Sequence, residues 1–169
     1  MLHLPMRAAG TAERISFVGD RWRLTVDGGV GWRRQKEETT TLTLMRQAEG
    51  VKVVLRLRVY GIRDGMPPKT FLAAHAMWLA EEGGPRIEYT WDKDLQAWQG
   101  YAVDRDRETY YVFRVVADRA YVLEASAEAG SLSARAADEF QRIAADFECR
   151  PAPGQAALPP SPETQPETP

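Results

Sequence analysis

The sequence predicts an α+β domain in which an antiparallel β-sheet is packed by two main helices. Three observations support this fold class: segments in which apolar and polar residues alternate, two segments with apolar residues at helical spacing, and turn signals between successive strands. Because the order is strands, helix, strands, helix, neighbouring strands pair mostly as hairpins, and the predicted sheet is therefore antiparallel.

The first group of strands precedes residue 61. Residues 22–26 alternate between apolar and polar side chains and end at 27–29, where glycine accepts the positive φ of a tight turn. The next predicted strands are 39–45 and 51–60, joined by a turn at 49–50. The last of them is the clearest, because alternate positions are all valine or leucine: Val51, Val53, Leu55, Leu57 and Val59. One face of this strand is predicted to pack in the core, and the other face is predicted to be more exposed to solvent.

The first helix is predicted over 69–82, after two prolines and before a Gly-Gly-Pro stop at 83–85. Its apolar stripe consists of Phe71, Leu72, His75, Ala76, Trp78 and Leu79. The second helix is predicted over 133–147, with four apolar residues at i, i+3, i+4 and i+7: Phe140, Ile143, Ala144 and Phe147.

Four strands are predicted between the two helices. They cover 87–91, 98–103, 109–117 and 119–127, and the last two are joined by a tight turn at Asp118. Tyrosine and β-branched or aromatic residues recur at alternate positions in the last two of these segments, as expected for strands with one buried face.

The chain divides into three parts by composition. Residues 1–14 have no periodicity and are expected to form a flexible lead, and residues 15–149 are expected to form one domain. Residues 150–169 are rich in proline with Ser, Thr, Gln and Glu between, and they contain little to bury. Such a segment cannot offset its ordering entropy, so it is predicted to be a disordered tail.

Composition excludes several functions. The chain has 169 residues and a formal net charge of −2, whereas proteins that grip phosphate backbones usually carry a basic excess, so nucleic acid is not expected as a partner. No apolar run of 18 or more residues is present, so no membrane span is expected. The chain as written is expected to be cytoplasmic; removal of an N-terminal signal would instead make it periplasmic or a lipoprotein.

Residues able to perform catalysis are scarce. Cys149 is the one cysteine, and the two histidines are His3, in the predicted lead, and His75, in the apolar stripe of the first helix. We therefore predict no catalytic residue, because a nucleophile needs a base held beside it. No cofactor or metal site is predicted either: Asp92-x-Asp94 has too few oxygen ligands, and the acids in 104–108 each have an arginine neighbour.

Candidate binding residues come from the polar faces of two predicted strands. Arg23 lies on one of them, and Lys52, Arg56, Arg58 and Tyr60 lie on the other. If the two strands share a sheet, these side chains form a basic, tyrosine-edged surface suited to an acidic partner. The alternative is that the long arginine side chains cover the outer side of the sheet for solubility.

Two of the five tryptophans are also candidates. Trp22, Trp32 and Trp78 are predicted to lie in the core, whereas Trp91 and Trp98 flank a polar loop. The flanking pair either anchors a ligand or partner, or pins the loop by packing.

Four stretches carry a resemblance to a known family. They are an opening strand that runs through a turn into Gly-Trp (22–32), a helix after the first hairpin (71–83), a late hairpin with Trp-Gln-Gly-Tyr-Ala (98–123) and a closing helix (140–147). In these stretches the chain resembles the PsbP-like fold, shared by photosystem II PsbP, a yeast Ran-binding import factor and bacterial DcrB-type proteins. The resemblance spans about residues 15–149.

The resemblance implies a non-enzymatic binding role, because members of that family generally act by docking on larger assemblies. Our hypothesis is an accessory or adaptor protein that binds another protein through its sheet face or edge. One bacterial branch consists of cytosolic dimeric chaperones for the transmembrane segments of secretion effectors, so a homodimeric chaperone is the first alternative. A small-molecule or lipid carrier with Trp78, Trp91 and Trp98 near a cavity is the second.

Overall fold

The computed structural model describes residues 13–48 and 50–154, which form antiparallel sheets and two α-helices. The predicted α+β class is confirmed. The described part of the chain contains, in order, β1 (Arg14–Gly19), β2 (Trp22–Asp27), β3 (Arg33–Glu38), β4 (Thr41–Ala48), β5 (Val51–Gly61), α1 (Pro68–Glu81), β6 (Glu88–Asp92), β7 (Ala97–Val103), β8 (Arg107–Val116), β9 (Arg119–Glu128), α2 (Ala134–Asp146) and β10 (Glu148–Cys149). Most of the predicted lead and of the predicted proline-rich tail lies outside the described residues.

The strands divide between two sheets rather than joining the one that the sequence predicted. The large sheet has seven strands in the order β3-β4-β5-β9-β8-β7-β6, and the small sheet has the order β1-β2-β10. Every described pairing is antiparallel. The hairpin β4-β5 pairs with the later hairpin β8-β9 through β5 and β9, and α1 is the connection between the two halves of the sheet.

The two helices pack on opposite faces of the large sheet. On one face Leu55 and Tyr121 pack with Phe140 of α2 and with the small sheet. On the other face Val122, the neighbour of Tyr121 in β9, packs with Phe71 of α1. Because side chains alternate along a strand, one hydrophobic sheet supplies two separate cores, and each fully buried large side chain contributes about 1.5 to 3 kcal/mol.

Local signals define both ends of α2. Ser133 caps the start, where its hydroxyl accepts a hydrogen bond from the amide of Ala136 at 3.2 Å. At the other end Arg114 donates to the carbonyls of Ala144, at 3.1 Å, and Phe147. The guanidinium thereby satisfies carbonyls that a helix end leaves without partners, and its positive charge lies where the helix dipole is negative.

A buried polar network ties α2 to the large sheet. Glu139 of α2 accepts hydrogen bonds from the indole of Trp32, at 3.0 Å, and from the Arg46 guanidinium of β4. Arg46 also lies over the Trp32 ring, 5.3 Å from its centroid. Since buried charges must be paired to be tolerated, this network specifies how α2 sits on the sheet.

Three of the described strands, β1, β3 and β10, were not predicted. β10 has only two residues, too few for alternation to show. Ile15 and Phe17 do alternate in β1, but the predicted strands began only at residue 22. In β3 the sequence Arg-Arg-Gln-Lys-Glu-Glu has no apolar residue, and all six side chains are exposed. Alternation cannot reveal such a strand, because neither of its faces belongs to a core.

The predicted boundaries of both helices lie within one residue of the observed ones. Among the described residues, no helix combines the length and the hydrophobicity needed to cross a lipid bilayer.

Candidate binding surface

The α1 side of the large sheet has a covered part and an open part. The buried cluster beneath α1 takes side chains from β5 to β9 and, within the described residues, none from β3 or β4. Beside α1 lies a groove of about 520 Å³, which we call the open groove. Its principal lining residues are Lys36, Glu38, Thr41, Thr43, Arg56, Arg58, Tyr60 and Trp78.

Strand register places the polar side chains of the open groove together. Thr41 lies opposite Arg58 and Thr43 lies opposite Arg56 across the β4–β5 ladder, so all four point to the same face. Arg56 in turn lies opposite Glu124 of β9. A run of threonine, arginine and glutamate thus crosses three adjacent strands.

The two arginines of the open groove share one carboxylate. Glu124 accepts a hydrogen bond from Arg56 at 2.6 Å and lies 3.6 Å from the Arg58 guanidinium. Lys36 and Glu38 form a second pair at 2.7 Å. Three positive charges therefore meet two negative charges, so the groove retains a net positive charge that can attract an anion.

Arg58 is held in its charged form at the border of the covered part. Burial opposes its charge, but the Glu124 carboxylate and the Tyr60 hydroxyl outweigh burial and raise the pKa of Arg58. Tyr111 lies opposite Glu124 on β8, and burial, followed by Glu124, raises the pKa of its phenol. Arg58 thus keeps its positive charge at this border, where its side chain is 28% exposed and still reaches solvent.

His75 of α1 is buried among aromatic rings next to this border. Its Nδ1 lies 3.1 Å from the Tyr89 hydroxyl, and its ring contacts Phe113 with centroids 5.1 Å apart. Burial, with a smaller contribution from Arg58, lowers the pKa of His75 to about 4. Burial, and then Tyr111, also raises the pKa of Tyr89. At neutral pH both groups are uncharged, so the pair acts as a neutral hydrogen bond between α1 and β6.

Gly100 makes room for this pair. It lies opposite Tyr89 in the β6–β7 ladder, and a Cβ added to it would lie 2.9 Å from the Tyr89 ring. The glycine lets the ring lie against the sheet, where its hydroxyl reaches His75.

The outward side of α1 is apolar. Its exposed residues between 73 and 80 are Ala73, Ala74, Met77, Trp78 and Ala80. The Met77 side chain is 63% exposed and the Trp78 side chain 38% exposed. The prediction that Trp78 belongs to the core was therefore wrong: the stripe predicted from the sequence was wider than the face that α1 buries. We call this set of five residues the α1 patch, and through Trp78 it borders the open groove.

The structure separates some of the residues that the sequence grouped. Arg56, Arg58 and Tyr60 line the open groove, whereas Lys52 lies farther along β5, opposite Gln47. Arg23 belongs to β2 in the small sheet, where it lies 3.9 Å from Glu148. The grouping required both strands to share a sheet, and they do not, so Arg23 is not part of this surface.

Trp91 and Trp98 lie directly opposite each other in the β6–β7 hairpin. Their rings meet in an edge-to-face arrangement with centroids 5.6 Å apart. Asp92 accepts hydrogen bonds from the amides of Asp94 and Leu95, at 2.8 and 3.0 Å, which fixes the turn between the two tryptophans. The pair lines a depression of about 430 Å³ that is separate from the groove beside Trp78.

Two further ionisable side chains, Cys149 and Glu108, lie outside the open groove. Burial raises the pKa of the Cys149 thiol to about 12, so little thiolate forms at neutral pH. Glu108, one of the acids in 104–108, is buried in β8 and accepts hydrogen bonds from the Tyr101 hydroxyl and the Leu132 amide. Within 13–48 and 50–154, no three His, Cys, Asp or Glu side chains come together to hold a metal ion.

Sequence reasoning missed Glu124, Thr41, Thr43 and Trp78 as members of the surface. The threonines carry no signal of their own, since threonine is common in strands. Glu124 offers one: it is the acidic residue within the otherwise uncharged 120–127 segment of a buried strand, where a carboxylate needs a cationic partner.

No family model and no curated protein matches this chain. Among solved structures, a protein from Bacteroides thetaiotaomicron VPI-5482, with a crystal structure at 1.50 Å resolution, is similar with a TM-score of 0.52 and 10% sequence identity. The match covers 86% of this chain and 51% of that chain, so this chain spans about half the length of that protein. At this identity the similarity shows the fold alone.

Proposed function

We propose that this chain is a non-enzymatic accessory protein that binds an acidic, partly apolar segment of another protein in the open groove. The proposal includes membership of the PsbP-like fold, to which four stretches of the sequence between residues 22 and 147 are similar. The observation that carries it is the shared carboxylate: within the described part of the chain, Arg56 and Arg58 both pair with Glu124 and with no other carboxylate, and the exposed Trp78 lies beside them.

The chemistry of the surface favours a protein segment as the ligand. A carboxylate entering the groove gains hydrogen bonds from a guanidinium and from the hydroxyls of Thr41 and Thr43, and charge-assisted bonds of this kind are the stronger ones. Beside it, the α1 patch offers Trp78 and Met77 to apolar side chains of the same segment. Tryptophan and arginine together are the residues that most often dominate binding energy at protein interfaces.

The neutral state of His75 supports the non-enzymatic part of the proposal. Its ring lies beneath α1 with Tyr89 as its hydrogen-bond partner, and its pKa of about 4 leaves it uncharged at neutral pH. General acid–base catalysis near neutral pH favours a group whose pKa is close to the working pH.

The test uses a fluorescent peptide of alternating glutamate and leucine, with its Glu→Gln counterpart as the comparison. Binding is measured by fluorescence anisotropy for the wild type, for R56Q/R58Q and for R105Q/R107Q. The last variant removes two exposed arginines, one in the β7–β8 turn and one at the start of β8. We expect the acidic peptide to bind the wild type and the loop variant equally. The groove variant should bind at least about tenfold more weakly, because a hydrogen bond to a charged group is worth about 1.5 to 3 kcal/mol.

Equal binding of both peptides, or equal loss in both double variants, would contradict the proposal. Because Arg58 is half-buried, urea unfolding of R56Q/R58Q is measured alongside, and anisotropy is compared only under conditions in which the variant is folded.

The α1 patch favours a second candidate, a chaperone for apolar segments. Five consecutive outward positions without a charge are unusual on an exposed helix, where polar residues normally lie. This candidate predicts binding of a leucine-rich uncharged peptide that added salt does not weaken. Replacement of Met77 and Trp78 by glutamine should abolish it, whereas R56Q/R58Q should leave it unchanged.

A further inference from the structure

The edge strand β3 is open along its whole length within 13–48 and 50–154. β3 ends the large sheet, so no described strand pairs with the side of β3 that faces away from β4. All six of its side chains, from Arg33 to Glu38, are exposed, so no other described element covers this edge. Such an edge is a template for one more strand.

The charges of β3 match a second copy of itself. Its sequence is Arg33-Arg34-Gln35-Lys36-Glu37-Glu38, basic at one end and acidic at the other. In an antiparallel pair of two β3 strands, Arg33 faces Glu38 of the second copy and Arg34 faces Glu37 of the second copy. Two-fold symmetry repeats both contacts, so four opposite-charge pairs form and the centre is occupied by Gln35 and Lys36.

The bulge in β3 makes this register geometrically consistent. Arg34 lies opposite Leu44 and Lys36 lies opposite Thr43, so Gln35 is an extra residue against β4. In a regular strand, residues five apart point to opposite faces and Arg33 could not face Glu38 of a second copy. The extra residue shifts the alternation by one position, so both lie on the α1 face.

The extra residue also places Arg34 and Glu37 on one face of the sheet, so Arg34 can face Glu37 of the second copy. Arg34 and Glu37 lie opposite Leu44 and Leu42, which are both buried on the α2 face of the sheet. Arg34 accordingly lies over the Phe17 ring of β1, with its guanidinium carbon 5.2 Å from the centroid. Both members of the second pair therefore project on one face, as a cross-strand contact requires.

The strand at the opposite edge of the large sheet, β6, would not form opposite-charge pairs with a second copy of itself. β6 runs from Glu88 to Asp92, and pairing it antiparallel with itself would bring Glu88 opposite Asp92 of a second copy. Like charges directly opposite destabilise a strand pair. Charges on an edge strand discourage indiscriminate pairing, and in β3 their order leaves one favoured partner.

We propose that two copies of this chain associate through antiparallel pairing of their β3 strands, which joins their large sheets into one continuous sheet. In a single copy Arg34 pairs with Glu37 and Lys36 with Glu38, the latter at 2.7 Å. These exposed pairs are weak and can be exchanged for contacts between copies at little cost. Among the described residues, Arg33 makes no ion pair in the single copy, and it gains one in the pair.

The test is sedimentation velocity of the full chain between about 1 and 300 μM, because a single strand pair is smaller than a standard interface and binds weakly. The wild type should shift from monomer to dimer across this range. E37R/E38R, with an all-basic β3, and R33E/R34E, acidic except for Lys36, should each dimerise about a hundredfold more weakly, since four attractive pairs become repulsive.

Mixing the two variants should restore association, because every basic position of one then faces an acidic position of the other. The quadruple variant R33E/R34E/E37R/E38R should dimerise like the wild type. E81R/E82R, with the same charge change at the exposed end of α1, is the matched control and should also dimerise like the wild type.

A wild type that remains monomeric throughout, or an E37R/E38R variant that dimerises as well as the wild type, would overturn the proposal. Failure of the mixture to associate would do the same. Glu38 also lines the open groove, but sedimentation is measured without any peptide, so this result is independent of the acidic-peptide experiment.

Discussion

On the α1 face of the large sheet, the part beneath the helix is apolar and buried, whereas the part beside the helix is polar and charged. Beneath α1, β8 and β9 present Phe113 and Val122, whose exposures are 1% and 0%, and the polar groups there are neutral. Beside α1, β4 and β5 present threonines and arginines on the same face of the same sheet. Glu124 of β9 lies at the boundary and compensates part of the arginine charge.

The difference shows that a position on this sheet face can hold a charged side chain only where the helix does not cover it. Strand register does not decide this, because both parts lie on the same face. Under α1 a charge would lose its hydration without a partner, so His75 is neutral and bonded to Tyr89. In the open groove the arginines keep solvent on one side and a carboxylate on the other. Positions covered by α1 should therefore contribute mainly to stability, and positions in the open groove mainly to binding.

Phe113→Ala should have the largest effect. The ring packs edge to face against His75 and Tyr89, with centroids 5.1 and 4.7 Å away, so its removal leaves a cavity under α1. We expect a loss of about 3 to 5 kcal/mol in the free energy of unfolding, measured by urea titration. Val103→Ala on the exposed side of β7 is the control and should change it by less than about 0.5 kcal/mol. A small loss for Phe113→Ala would mean that the covered part is not well packed.

His75→Gln should remove part of the acid sensitivity. The folded pKa of about 4 lies below the unfolded value, so between about pH 6.5 and 4 the unfolded chain binds an additional proton and wild-type stability falls as the pH is lowered. The histidine contributes at most about 3 kcal/mol to this fall. Glutamine still bonds the Tyr89 hydroxyl but does not titrate.

The measurement is the free energy of unfolding at pH 7 and pH 4.5 for both proteins. The carboxylates titrate in both, so the difference between the two slopes isolates the histidine. Identical slopes would show that His75 is not kept neutral by burial.

Arg56→Gln should have the smallest effect on stability. The Arg56 side chain is 30% exposed and Glu124 retains Arg58 as a partner, so we expect a change below about 1 kcal/mol in urea unfolding. The same variant should weaken binding of the acidic peptide. If it destabilised the chain as much as Phe113→Ala, the contrast between the covered and open parts would not hold.

Much of the fold could be predicted from local pattern. Alternation identified β5 and β9, and helical spacing identified α1 and α2, with the prolines marking the start of α1, because each of these signals acts within a few residues. β3 was missed because its residues are all polar. Of the candidate binding residues, Arg56, Arg58 and Tyr60 were grouped correctly since they share one strand face, whereas Arg23 was separated by sheet membership.

The amino-acid order by itself determined both helices and the strands that alternate between apolar and polar residues, because those patterns depend on neighbouring residues. Only the tertiary structure decided that β2 leaves the large sheet, that Glu124 lies between two arginines of another strand, and that α1 covers one part of a sheet face and exposes Trp78. These outcomes depend on contacts between residues far apart in the chain, and such contacts are selected by the packing of whole elements and not by local pattern.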